Sequence, residues 1–168
     1  MRTAFVALLS LVLAAPVAAA TPPHIAVASF EQLAKPLPLP YDEQANARAV
    51  VAAAKARARA HHKLLLIDLG GNWCLDCRLL AGTMDLPELH KFLASKYEIA
   101  LVDVGRFDKN LDIPGHYGIK DRLEGVPAVL IVDPRTDRLV NAGHIAALAD
   151  ARSMSPQALA DWLASWTK

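Results

Sequence analysis

The chain has 168 residues, 54% of them hydrophobic, with 18 Lys+Arg against 17 Asp+Glu. That length suits one domain with an adequate core, and the balanced charge argues against a polyanion-binding surface. Loss of Arg2 with a leader levels the two charge classes, so the mature chain carries no formal net charge and no nucleic-acid partner is expected.

Residues 1–20, MRTAFVALLSLVLAAPVAAA, read as a secretory leader: Arg2 supplies the charged start, residues 4–15 the apolar run, Pro16 a break, and Ala18-Ala19-Ala20 the small-residue cleavage site. A membrane anchor is the alternative, but the run falls short of the roughly 20 apolar residues that span a bilayer. No cysteine stands near the cleavage point to carry a lipid. The pattern predicts cleavage after Ala20 and a soluble protein in a bacterial periplasm. Residues 21–41 carry Pro22, Pro23, Pro36, Pro38 and Pro40, which excludes a regular helix and predicts an arm, either a strap or a loose lead-in.

From 42 to about 60 the alanine-rich run has acids at its start and Lys55, Arg57 and Arg59 toward its end, as a helix dipole prefers. The basic cluster that closes it reads as a solvated helix end rather than a docking patch. LLLID at 64–68 predicts a buried strand, followed by a Gly-Gly loop and a helix to about Thr83, then a second helical piece at 88–95 after the break at Pro87. IALVDV at 99–104 is a second strand, and HYGI after a turn-rich loop opens a short helix. AVLIVD at 128–133 and RLVNAG at 138–143 form a hairpin across PRTD. The closing helix starts with Ser155 as N-cap and Pro156 at its first position.

The only two cysteines, Cys74 and Cys77, stand three apart behind Trp73. A structural disulfide gains stability by closing a long loop, and C-x-x-C closes a very short one. A structural zinc site needs four Cys or His ligands; this motif supplies two, and the six histidines are scattered or adjacent. At a helix N-terminus, residues three apart bring their sulfurs within disulfide reach. The unpaired N–H groups and dipole there favour a thiolate on Cys74 rather than Cys77, below the usual thiol pKa of about 8.5. Cys74 is then the attacking sulfur and Cys77 the resolving one.

The segment IDLGGNWCLDCR resembles the active site of the thioredoxin-like superfamily, with Trp73 before the first cysteine and Arg78 after the second. Asp68, six residues before Cys74, matches the buried aspartate that handles the resolving cysteine's proton in that family. Gly125-Val126-Pro127 before a strand resembles its cis-proline loop, and Tyr117 to Ile119 matches as well. The likeness covers residues 64–168. Leu75-Asp76 stands where Gly-Pro is commonest, giving the WCxDC arrangement of small thioredoxin-related proteins. Two further departures stand nearby: no lysine occurs at 99–104, where thioredoxin places one near its aspartate, which bears on proton handling by Asp68, and Gly70 stands where thioredoxin has a second tryptophan.

The resemblance implies a three-layer α/β thioredoxin-like fold over 42–168, a mixed sheet with helices on both faces and an added N-terminal helix. It implies a monomeric thiol:disulfide oxidoreductase that uses Cys74, Cys77 and Asp68 and needs no cofactor beyond its own dithiol. Trp73, Val126 and Pro127 would hold the substrate, and Leu75 and Asp76 would tune the potential. A non-enzymatic binding module with a structural disulfide is the rival reading. A charge on Asp76 about 7 Å from Cys74 would repel a thiolate by at most about 2.4 kcal/mol at an effective dielectric near 20. This opposes the helix-end contribution of about 0.3–1 kcal/mol and predicts a reductant. Its partners would be exported protein disulfides and a transmembrane electron donor.

Overall fold

Asn46 sets the start of the first helix. In the computed structural model, which describes residues 20–167, its side chain accepts the Ala49 N–H at 3.1 Å and caps α1 (Ala47–His61). Asp42 instead folds a local turn by accepting the Gln44 N–H at 2.9 Å, so the helix expected from residue 42 begins five residues later. The expected leader at 1–20 lies, apart from Ala20, outside the described residues.

After α1 come β1 (Leu64–Gly70), α2 (Leu75–Met84), α3 (Pro87–Lys96), β2 (Tyr97–Asp103), α4 (Asp112–His116), β3 (Ala128–Asp133), β4 (Arg138–Leu139) and α5 (Pro156–Ser165). The sheet order is β2-β1-β3-β4, with β1 and β2 parallel and the other pairs antiparallel. This mixed sheet with helices on both faces is the expected α/β thioredoxin-like architecture. Because β1 is buried on both faces, its sequence reads as a continuous apolar run. Leu65, Ile67 and Leu69 pack with Ala54 and Ala58 of α1, whose missing side-chain bulk lets the helix lie close to the sheet. On the other face Leu66, Val129 and Ile131 meet Leu80 of α2, Leu93 of α3, and Leu159 and Leu163 of α5. Each fully buried leucine contributes about 1.5–3 kcal/mol relative to an exposed one.

Two expectations change at the periphery. The short helix expected from His116 ends there instead, because α4 begins at Asp112 and Gly118 turns with φ +88°. The expected strand at 138–143 pairs only over Arg138–Leu139. The side chain of Asn141 then turns inward, accepting from Ile131 N–H and donating to Val129 carbonyl, both at 2.8 Å, and takes over the backbone groups a longer strand would have paired.

The proline-rich arm is a strap. Leu33 and Leu37 are buried against Leu79 of α2, and the Arg78 guanidinium donates to the carbonyls of Leu37 and Pro38 at 2.9 and 3.1 Å. At its start, Gln157 of α5 accepts the Ile25 N–H and donates to the Pro23 carbonyl. Its end delivers Tyr41 into the core, 3% exposed. Among the described residues no helix is long and apolar enough to cross a membrane.

Candidate active site

The site lies where β1 hands over to α2. Asp68 occupies the middle of the sheet, paired with Leu101 on one side and Val129 on the other. After Gly70 the chain turns, Cys74 N–H donating to Gly71 carbonyl at 3.0 Å, and Cys74 becomes the N-cap of α2. Its Sγ accepts the Cys77 N–H at 3.1 Å, the geometry by which a helix start stabilises an anionic sulfur. Cys74 and Cys77 are joined as a disulfide, their Cα atoms 5.3 Å apart. Cys77 is fully buried and Cys74 nearly so.

The Val126–Pro127 peptide is cis and lies against the dithiol, with Cys74 Sγ 3.4 Å from the Val126 carbonyl oxygen. Both residues are buried. Trp73 and Leu75 flank Cys74 and are 45% and 44% exposed, an apolar rim open to a partner. Trp73 Nε1 donates to Gly105 carbonyl at 2.8 Å, its ring meets Phe107 at 6.2 Å, and the Arg106 guanidinium lies 4.9 Å above it.

Asp68 is completely buried, and burial pushes its carboxyl up to about 7 against the lowering pull of a hydrogen bond donated by the Tyr41 hydroxyl at 3.0 Å. Its Oδ2 has no hydrogen-bond partner among the described residues. A cleft of about 500 Å³ between Pro38 and Pro40 of the arm, Met84 of α2, Leu93 of α3 and Leu101 of β2 reaches it. Such a carboxyl exchanges its proton near neutral pH.

Asp76 departs from its expected part. It is buried and turned away into a bidentate pair with Arg152, Nη2 to Oδ2 at 2.5 Å and Nε to Oδ1 at 3.0 Å, and it also accepts the Arg152 backbone N–H at 2.9 Å. Burial alone would raise its pKa, but these bonds outweigh it and hold the carboxyl below the usual range. The Arg152 charge therefore opposes the repulsion a free Asp76 would exert on Cys74. Sequence reasoning missed Arg152, which approaches from a distant turn with no local signal, and Tyr41. The pairing of Gly70 with a lysine-free second strand was the available hint that something else fills the space beside Asp68.

Among the described residues no three His, Cys, Asp or Glu side chains gather into a metal-holding group. A cysteine pair capping a helix, a cis-proline against Cys74 Sγ and a buried carboxyl on the adjoining strand form the arrangement that thiol–disulfide exchange requires. The chain belongs to the thioredoxin-like family, whose model matches residues 46–134. A solved disulphide isomerase from Xylella fastidiosa Temecula1 is 38% identical with a TM-score of 0.68, over 76% of this chain and 96% of that one. A protein of unknown function from Pseudomonas aeruginosa is 19% identical with a TM-score of 0.39, over 71% of this chain and 83% of that one. No curated protein matches the chain.

Proposed function

We propose that this protein is an exported thiol:disulfide oxidoreductase that reduces disulfides of protein partners in the periplasm. The Cys74 thiolate attacks a partner disulfide, forming a mixed disulfide and releasing one partner thiolate. Cys77 then gives its proton to Asp68 and attacks Cys74 Sγ; the second partner thiolate leaves and is protonated. The partner gains two electrons, and Cys74–Cys77 is left oxidised. A dithiol donor in the membrane returns two electrons and two protons to close the cycle. Trp73, Leu75, Val126 and Pro127 receive the partner segment beside Cys74.

The observation that carries the exchange mechanism is the fully buried Asp68 with a carboxyl held near 7, able to take the resolving thiol's proton and return it; the reducing direction is drawn from the match of Asp68 to the buried aspartate of thioredoxin-like reductases. Asp76 no longer carries it, because its charge is met by Arg152. Likeness to a disulphide isomerase favours a second reading, in which the same attack rearranges wrongly paired disulfides. Equilibration with glutathione redox buffers decides the direction. The reducing reading expects a midpoint well below about −180 mV, toward the thioredoxin value of about −270 mV, whereas a midpoint at or above about −180 mV rejects it and favours isomerisation or oxidation.

A further inference from the structure

Tyr41 of the arm completes the space around Asp68. Gly70 brings no side chain, and a Cβ built there would stand 2.2 Å from Tyr41 Oη and 2.8 Å from Cys77 Sγ. Hydroxyl and sulfur thus crowd the same point, which only glycine leaves free. The hydroxyl donates to Asp68 Oδ1 at 3.0 Å, while the Tyr41 backbone is clamped by Asn72, whose Oδ1 accepts its N–H at 3.1 Å and whose Nδ2 donates to its carbonyl at 2.8 Å. Asn72 belongs to the turn that carries Cys74. The arm is thereby tied at one residue to both the proton-handling carboxyl and the dithiol loop.

We propose that Tyr41 is the positioning residue of the proton step: its hydroxyl fixes the Asp68 carboxyl beside Cys77 and governs the pH at which Asp68 accepts and returns the resolving thiol's proton. This rests on the reading that Asp68 serves Cys77. Burial, then the nearby Asp68 charge, drive the phenol far above its ordinary value, so Tyr41 stays a donor across the working range. The other ionisable groups are Cys77 from α2, Asp103 from β2 paired with Lys109 at 3.2 Å, and five residues around the cleft. Of those five, Lys63 and Glu98 pair with each other at 3.1 Å, the Tyr97 hydroxyl donates to the Leu163 carbonyl at 2.7 Å, and Asp85 and His90 complete the set.

Single-turnover oxidation of the reduced protein by a disulfide-bonded peptide, followed from about pH 5 to 9, reads the resolution step. The wild type is expected to show an inflection that Asp68→Asn removes, which separates it from any contribution of Asp85 or His90. Tyr41→Phe keeps the ring but deletes the donor, so the ionised carboxyl loses support and the inflection moves alkaline by about one pH unit or more. Combined with Asp68→Asn, it adds no further change. An unmoved inflection in folded Tyr41→Phe overturns the role of Tyr41 and leaves that of Asp68 intact. Identical profiles for wild type and Asp68→Asn overturn both. Asn72→Ala, which frees the Tyr41 backbone without touching the ring, is expected to shift the inflection the same way by a smaller amount; should Tyr41→Phe fail to fold, an unmoved inflection here overturns the proposal.

Discussion

Burial of the Asp68 carboxyl ties the stability of the fold to pH. Folded Asp68 holds its proton up to about pH 7, whereas an unfolded aspartate releases it near 3.9. Between those values the native state binds more protons than the unfolded chain, so the Asp68 contribution to stability is fully present below about pH 4 and is lost as pH rises toward 7. The difference is on the order of 4 kcal/mol. Denaturant unfolding of wild type and Asp68→Asn at pH 4.5 and pH 8 isolates it from other carboxylates. Asp68→Asn is expected to gain a few kcal/mol over the wild type on moving to pH 8; a constant difference would mean that Asp68 is not held as a neutral buried acid. Glu98 and Asp137 act in the opposite sense. The His61 and Arg57 hydrogen bonds take Glu98 to about 2, and those of Lys55 and His116 outweigh burial to take Asp137 to about 2, so both stabilise the fold at neutral pH and lose that effect in acid.

The second helix is anchored at both ends of its charge pattern. Arg78 grips the strap, and Asp76 grips Arg152 in the 3-10 turn Ala151–Ser153 before α5. Arg152→Ala would leave Asp76 buried and uncompensated within a turn of Cys74, disfavouring the thiolate. The glutathione midpoint is expected to become more negative by on the order of 20 mV, with a lower melting temperature. A midpoint that stays put or rises would mean the pair does not shield Cys74. This element also marks the limit of what the sequence carries. The strand β1, the turn and Cys74 as helix cap are legible because their signals are local: an apolar run, two glycines, and a cysteine pair at helical spacing. Arg152 was not, since it meets Asp76 across 76 residues. The short β4 was hidden for a related reason, because the side chain of Asn141 competes with the backbone ladder, a choice that only the packed sheet decides.

At the scale of the molecule, the arm at 21–41 packs along the thioredoxin-like domain and ends with Tyr41 against Asp68. The prolines of the arm excluded a helix but not a loose tail. Its docking rests on single residues, Ile25, Leu33, Leu37 and Tyr41, and although they stand four or eight apart, Pro36, Pro38 and Pro40 rule out the helix that such a spacing would otherwise signal. The strap covers one face of α2 and leaves the Trp73 and Leu75 rim open beside Cys74, while Asp68 lies behind it, buried at the floor of the cleft under Pro38 and Pro40. In the proposed cycle the two sulfurs do unequal work, and trapping measures this most directly. Incubated with oxidised insulin, Cys77→Ser is expected to accumulate a mixed disulfide through Cys74, visible on a non-reducing gel and by mass, while Cys74→Ser accumulates none and neither variant reduces insulin catalytically. Trapping by Cys74→Ser with none by Cys77→Ser would contradict the assignment of attacking and resolving sulfur.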